Sequence, residues 1–479
     1  MLPLTAAAAT LLALGLGSYR LGAESLWVDE AASAGFALGG PGAWIADHNM
    51  ALYYMLLGGC VRLFGHGEHT LRALSVLCFA AGVPVLYRIV QLGFGAGAAR
   101  VAVLMHVCNA FMLELAQEAR GYMLAVLLVL VAQLALMRVL DGAGRAWIVA
   151  YALTQGLAVY AHLFALWTLA ANAIACAPRY LAPSRERRAL IAAGVSAGTI
   201  SIPLLWQMVG TGAAQVSWIR PVSGASLLAL PVVWTGGSKL LATVSAVLFV
   251  WFARGMWAAD ARARRHTRLI VAWLGVPCAA ALLVSLCVAP MLLPKYLIMT
   301  VPALEIGAAV ALTRAPRKLA WPLAVGLLLL AALRIERVYR VVHKEPWRES
   351  VRSLFARIQP GEPLLLELPC PEPFHYYVEQ LGLSTRPPPH WPARAWGFPV
   401  PDERALARDA LLAQLAGERP ARVWIVSNRS HERPELGPLT GHYALELEQH
   451  FAASANETDQ LFADTSASRI TLRSYTLVR

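Results

Sequence analysis

Ser25-Leu26-Trp27-Val28-Asp29-Glu30 places two carboxylates beside a tryptophan just after the first apolar run of the chain. Desolvating a carboxylate next to lipid is costly, so paired acids at a membrane surface need a reason to be there. Neighbouring residues on a helix face different directions, so one acid would do the work while the other holds the loop or tunes it. With Trp27 limiting solvent access, a carboxylate here could take the proton of a hydroxyl group as a general base. The same residues also suit a plainer role, as first-turn acids favoured by a helix dipole with Trp27 as an interfacial anchor. A second group, Gln117-Glu118-Ala119-Arg120, falls at a later membrane boundary, with Glu114 one helical turn before Glu118. On a continuous helix the two acids would share a face and could pair with Arg120. Alternatively the acid meets a sugar or a metal and the arginine meets a phosphate, which guanidinium grips with two parallel hydrogen bonds.

Four further residues could carry chemistry. Lys295 and Tyr296 follow Pro290 and Pro294 at the start of an apolar run; the lysine either snorkels to headgroups or stabilises a leaving phosphate, with the phenol as a second donor. His162 marks another boundary, as interfacial packing or as a substrate contact. Glu305 lies inside an apolar run, where a carboxylate is a functional candidate unless it pairs with a helix neighbour.

These residues sit in a chain of 479 residues that is 58% hydrophobic and 15% charged. Soluble domains carry about 25% charged residues, so the composition is that of a polytopic membrane protein. The net charge of +12 does not signify nucleic-acid binding, because the basic residues fall in short runs between apolar segments, as at 185–188, 262–268 and 314–318. Such runs set membrane orientation instead. The seven cysteines show no metal-ligand spacing, and Cys370 is alone in the polar tail.

About eleven apolar runs approach the length a bilayer requires: 4–19, 70–90, 100–116, 121–139, 146–162, 164–178, 188–209, 226–253, 268–289, 295–313 and 319–335. The first lacks a basic start and reads as an uncleaved anchor. Placing the N-terminus inside puts the basic loops in the cytoplasm and three features outside. These are the long loop 20–69, the boundary motifs, and a polar tail from about 340. In the loop, Leu52 to Phe64 reads as an interfacial helix with Tyr53 and Tyr54 at headgroup depth. In the tail, Trp347, Val351, Leu354, Phe355 and Ile358 recur at helical spacing after Pro346. Segments 363–367, 422–426 and 470–478 read as strands, with a helical stretch near 403–416 and a proline-rich loop at 386–401. The tail is therefore expected to form a small α/β domain, giving a division at 1–338 and 339–479. No phosphate-cradling glycine loop or HExxH motif occurs. An outward-facing site without nucleotide-binding signals points to an activated donor carried on lipid.

The motifs resemble those of the GT-C glycosyltransferases, in particular bacterial members related to protein O-mannosyltransferases and aminoarabinose (lipid A) transferases. Glu24-Ser25-Leu26-Trp27-Val28-Asp29-Glu30 is similar to the family's first-loop motif, and Asp47-His48-Asn49-Met50-Ala51-Leu52-Tyr53-Tyr54 to the juxtamembrane segment after it. Gln117-Glu118-Ala119-Arg120-Gly121-Tyr122 resembles the second acidic motif, Pro294-Lys295-Tyr296-Leu297 a late Arg-Tyr-Leu element, and Glu345-Pro346-Trp347-Arg348 the start of the extracytoplasmic tail. Two positions depart from the pattern: Met50-Ala51 stands where relatives have two prolines, and Lys295 where they have arginine.

The resemblance implies a polytopic α-helical membrane protein of the GT-C type, with juxtamembrane helices in its first extracytoplasmic loop. It implies a glycosyltransferase of the cytoplasmic (inner) membrane, moving a hexosyl or pentosyl group from a polyprenyl-phosphate donor with inversion. The acceptor hydroxyl would belong to a lipid, glycan or protein. Asp29, Glu30 and Glu118 are then the expected catalytic acids, and Arg120, Lys295 and Tyr296 the expected phosphate ligands. Trp27, Asp47, Asn49, Tyr53, Tyr54 and His162 are the expected substrate contacts. A divalent cation, Mg2+ or Mn2+, is a candidate cofactor, with Asp29 and Glu118 as its candidate ligands. The competing readings are a transporter or flippase for lipid-linked sugars and a non-catalytic assembly subunit of similar fold.

Overall fold

The computed structural model describes residues 4–45, 49–181, 185–209, 216, 219–258, 260–341, 344–359, 362–366, 371–383, 413, 415, 417–428, 443–452 and 469–478. The chain divides into two compact units. One holds the residues up to Leu21 and Phe36–Arg340, and the other holds Gly22–Gly35 with the described residues from Val341 onward. The first-loop motif thus belongs to the second unit, whereas the division at 338/339 had placed it with the first.

The helices run in order α1 (Leu4–Ser18), α2 (Val28–Leu38), α3 (Pro41–Trp44), α4 (Ala51–Phe64), α5 (Glu68–Phe94), α6 (Ala96–Val107), α7 (Ala110–Ala116), α8 (Tyr122–Leu140) and α9 (Arg145–Ala161). They continue as α10 (Ala165–Leu181), α11 (Arg185–Val209), α12 (Gly224–Trp234), α13 (Lys239–Arg254), α14 (Ala261–Cys287), α15 (Val301–Arg314), α16 (Arg317–Arg340), α17 (Trp347–Phe355) and α18 (Pro371–Gln380). A 3-10 turn, Pro294–Thr300, leads into α15.

Among the described residues, seven helices are long and apolar enough to cross a bilayer, or eight if the bent pair α6–α7 is one span. The chain is a multi-pass membrane protein, but this count is below the expected eleven. The reason is local. Helix α1 has 15 residues and α9 and α10 have 17 each, short of the roughly 20 a span needs. The run at 226–253 is broken between α12 and α13 at Gly236 and Gly237, both at positive φ (70° and 80°). A Cβ on Gly236 would lie 2.7 Å from that of Ala110, so glycine also permits this turn to touch the start of α7.

The break between α6 and α7 bends the path by 58°. Asn109 makes it a clean restart: its side-chain oxygen accepts the backbone N–H groups of Phe111 and Met112, capping α7. Helices α8 and α15 form the buried centre of this unit, and α16 lies at its periphery. Such a gradient follows from solvation by lipid, since an apolar helix does not need to be covered by protein.

In the second unit the described strands are β1 (Leu364–Leu366), β2 (Arg422–Asn428), β3 (Tyr443–Ala452) and β4 (Arg469–Leu477), in the order β1-β2-β4-β3. The β1–β2 pair is parallel and the other two are antiparallel. Leu365, Leu415, Val423, Ile425 and Tyr475 form a core on this sheet. Helix α17 starts directly after Pro346 and buries Trp347, Val351, Leu354 and Phe355, the stripe its spacing predicts. The proline-rich loop at 386–401 and most of the helical stretch at 403–416 lie outside the described residues.

Candidate active site

In the second unit, the first-loop motif is clasped by the segment around Pro346. Ser25 Oγ donates to Glu349 at 3.1 Å and accepts the backbone N–H of Arg348 at 3.2 Å. The Arg348 guanidinium donates to the carbonyl of Gly22 at 3.1 Å. The backbone N–H of Lys344 donates to the Glu24 carboxylate at 3.0 Å, and that of Leu26 donates to the Tyr377 hydroxyl at 2.6 Å. Two of the resemblance motifs, 24–30 and 345–348, therefore meet in one hydrogen-bonded assembly.

This clasp separates the two acids. Glu30 is fully buried, lies 3.1 Å from Lys344 Nζ, and accepts the backbone N–H of Trp27 at 3.4 Å across the first turn of α2. These contacts suit the loop-holding part that one of the two acids was expected to play. Asp29 is only partly buried, and Ser33 Oγ bonds its backbone carbonyl, not its carboxylate. Losing Lys344 would leave the Glu30 charge buried without its cation, which typically costs about 3–5 kcal/mol. Lys344→Met is expected to lower the melting temperature of the purified protein markedly, and Glu30→Gln with Lys344→Met to recover part of the loss.

In the first unit, the second acidic motif lies in the bend between α7 and α8. Helix α7 ends at Ala116, so Glu114 and Glu118 do not share a continuous helix face. Gln117 explains the stop: its amide donates to the carbonyls of Gly17 and Tyr19 at 3.0 and 2.8 Å, tying the bend to the end of α1. Glu118 is buried, and the Arg120 guanidinium donates to the Tyr54 hydroxyl at 3.3 Å. The Arg120 carbonyl accepts the Ser75 hydroxyl at 3.2 Å.

Helix α4 delivers Tyr54 from an inward face. Tyr53 and Tyr54 are both fully buried within protein rather than facing out from the apolar helix. Their hydroxyls need partners and find them inside the protein: Tyr53 donates to the Leu71 carbonyl and contacts Ser75 at 3.2 Å. Tyr53 thus braces the site, and Tyr54 reaches the arginine. Phe36, at the end of α2, stacks on Tyr54 at 4.9 Å. Asn49 accepts the backbone N–H of Leu163 at 3.2 Å, which fixes the loop before α4 to the connection between α9 and α10. Met50 takes the Gly121 N–H on its sulfur at 3.3 Å, a contact that two prolines at 50–51 would not supply. Asp47 lies outside the described residues.

His162 closes α9 in extended conformation and is fully buried. Its ring packs against those of Tyr122, Phe164 and Tyr296 at 5.3–5.7 Å between centroids. The Nδ1 atom accepts the Phe164 N–H at 3.3 Å, which leaves the proton of a neutral ring on Nε2. Nε2 has no hydrogen-bond partner among the described residues. Tyr122 lies two residues after Arg120 and Tyr296 directly follows Lys295, so these ring contacts bring both cation-bearing segments to the imidazole. Two cations, two phenols and one imidazole donor thus gather where α8 begins, α9 ends and the 3-10 turn enters α15. Such a concentration of donors in a buried place suits an anion with several oxygens. Tyr122 and Phe164 were not singled out from the sequence, although each lies two residues after one that was, Arg120 and His162.

Gly121 makes this gathering possible. A Cβ there would lie 2.5 Å from the Ala161 carbonyl oxygen, which is backbone and cannot rotate away. Gly121→Ala is expected to push the Arg120 bend off the end of α9 and lower turnover by about 10²-fold, the typical result of a displacement near 1 Å. Among the described residues no group of three or more His, Cys, Asp or Glu could hold a metal ion.

Solved structures share this fold. ArnT from Cupriavidus metallidurans in the apo state aligns with a TM-score of 0.64 at 14% identity, over 98% of this chain and 97% of that one. The same protein bound to undecaprenyl phosphate aligns at 0.62 and 15%, with the same coverage. The Archaeoglobus fulgidus oligosaccharyltransferase in its apo form aligns at 0.53 and 10%, over 94% of this chain and 74% of that one. No family model and no curated protein matches the sequence. Both solved proteins are GT-C enzymes, and the fold of this chain is theirs, as its motifs led us to expect.

Proposed function

We propose that the chain is a membrane glycosyltransferase that moves a sugar from a polyprenyl-phosphate carrier to an acceptor hydroxyl on the extracytoplasmic face, with inversion at the anomeric carbon. The observation that carries this reading is the packing of Tyr122, two residues after Arg120, and of Tyr296, next to Lys295, against the buried His162. The undecaprenyl phosphate held by ArnT, a protein of the same fold, supports a lipid phosphate as the anion. The basic loops between the spans support an outward-facing site in the inner membrane.

In the proposed reaction the Asp29 carboxylate accepts the proton of the acceptor hydroxyl. The freed oxygen attacks the anomeric carbon from the side opposite the phosphate, and the bond between that carbon and the phosphate oxygen breaks. Polyprenyl phosphate leaves with the electron pair. Arg120 and Lys295 neutralise the charge that grows on its oxygens, and His162 Nε2–H and the Tyr296 hydroxyl add hydrogen bonds. Glu118 orients the sugar. Stabilisation of this kind acts where charge develops in the transition state, so it raises turnover as well as binding. Glu30, with Lys344, sets the direction of Asp29.

The direct test incubates the purified protein with a panel of polyprenyl-phosphate sugars and measures free polyprenyl phosphate, with and without chelator. Release from one donor, dependent on acceptor, is the expected result. Unchanged donor across the panel, with movement of intact lipid-linked sugar between leaflets, would favour a flippase instead.

A further inference from the structure

A chain of buried and half-buried polar contacts links the two segments that carry the cations Arg120 and Lys295. Glu305, which the sequence placed alone inside an apolar run, does not pair with a neighbour on its own helix. One carboxylate oxygen lies 2.7 Å from His106 Nδ1, and the other accepts from Asn109 Nδ2 at 2.8 Å. The same Asn109 amide also donates to the Trp234 carbonyl at 3.0 Å. Trp234 in turn donates its indole N–H to the Pro294 carbonyl at 3.1 Å. His106, Glu305 and Trp234 are all buried.

The two ends of this chain are informative. Asn109 caps α7, and α7 runs directly into the bend that carries Glu118 and Arg120. Pro294 opens the 3-10 turn that carries Lys295 and Tyr296. A carboxylate deep in an apolar bundle is costly and is retained where its bonds fix something. Here both oxygens are used, and what they fix is the register of one cation-bearing segment against the other.

We propose that Glu305 and Asn109 are positioning residues that set the spacing of Arg120 and Lys295 through the cap of α7 and the Trp234–Pro294 bond. The proposal rests on the reading of those two cations as the ligands of the lipid phosphate.

Three variants test it. Glu305→Gln can keep both contacts, because its carbonyl accepts from Asn109 and its amide donates to a neutral His106. Asn109→Asp remains a competent helix cap, but it loses both donations and sets a second carboxylate against Glu305. Trp234→Phe removes only the bond to Pro294. Binding of undecaprenyl phosphate to the detergent-purified variants would be measured by native mass spectrometry, alongside kcat and KM for a polyprenyl-phosphate sugar. Glu305→Gln is expected within about threefold of wild type, while Asn109→Asp loses about 10²-fold in kcat and tenfold or more in lipid affinity. Trp234→Phe is expected to weaken lipid binding about fivefold, by loosening the Lys295 turn alone. A purely structural role would lower yield or melting temperature and leave kcat and affinity per folded molecule unchanged. Folded Asn109→Asp and Trp234→Phe proteins with wild-type affinity and turnover would overturn the proposal while leaving the enzyme reading intact. If wild-type protein itself bound no polyprenyl phosphate, both would fall together.

Discussion

Asp29→Asn is expected to lower sugar transfer by about 10²–10⁴-fold, the usual consequence of removing a general base. The substitution is nearly isosteric and changes little else. The backbone carbonyl that Ser33 bonds is retained, and so is the Glu30–Lys344 pair beside it. Loss of one negative charge from the first turn of α2 costs about 0.3–1 kcal/mol through the helix dipole. Membrane level and melting temperature should therefore stay close to those of wild type. Affinity for polyprenyl phosphate should also be unchanged, because the anion is assigned to other side chains. That combination, dead but folded and still binding the lipid, separates a base from a structural acid. Near-wild-type turnover in the variant would remove Asp29 from the mechanism. Equal activity of Asp29→Ala and Glu118→Ala cells would favour a non-catalytic subunit.

The second large effect is expected at the cations. Removing one preorganised donor from a site of developing negative charge typically costs about 10²–10³ in kcat. Arg120→Ala should reach or exceed this range, because it also deprives the buried Tyr54 hydroxyl of a charged donor. Arg120→Lys should recover only part of the rate, since an ammonium cannot bond Tyr54 and grip a phosphate with the same fork. Lys295 should behave in the opposite way. Lys295→Arg should retain activity, whereas Lys295→Met should lose lipid affinity and turnover together. Rates measured at several donor concentrations would distinguish these outcomes. An Arg120→Ala enzyme with unaltered kcat and unaltered lipid binding would show that the phosphate is held elsewhere.

What could be read from the sequence, and what could not, follows from the range of each interaction. Helix α17 was legible because its signal is local: a proline start and apolar residues at 3.6-residue spacing. The positions of Asp29, Arg120, His162 and Lys295 at helix ends were legible for the same reason. Pairings were not. Glu305 meets His106 across 199 residues, and Ser25 meets Glu349 across 324. Periodicity carries no information about such partners. The expected shared face of Glu114 and Glu118 failed because Gln117 bonds the end of α1, about 100 residues earlier, and ends the helix. Likewise the tyrosines of α4 read as interfacial because an apolar helix with phenols suits either lipid headgroups or a polar protein interior. Only the hydroxyl partners, Leu71 and Ser75 for Tyr53 and Arg120 for Tyr54, decide between the two.

The clasp between the first loop and the segment after Val341 also constrains how the molecule is made. Ribosomes deliver Asp29 early, yet Lys344, Arg348, Glu349 and Tyr377, which hold its loop, emerge more than 300 residues later. Joining ends so distant in the chain is slow, because the entropy of ordering a long loop must be met before any contact rewards it. A nascent polypeptide stopped between Tyr296 and Lys344 would therefore carry every residue of the proposed chemistry and none of these supports for the loop that holds Asp29. The segment from Lys344 onward is thus a latch that can reach the loop only after the helices between them have been made.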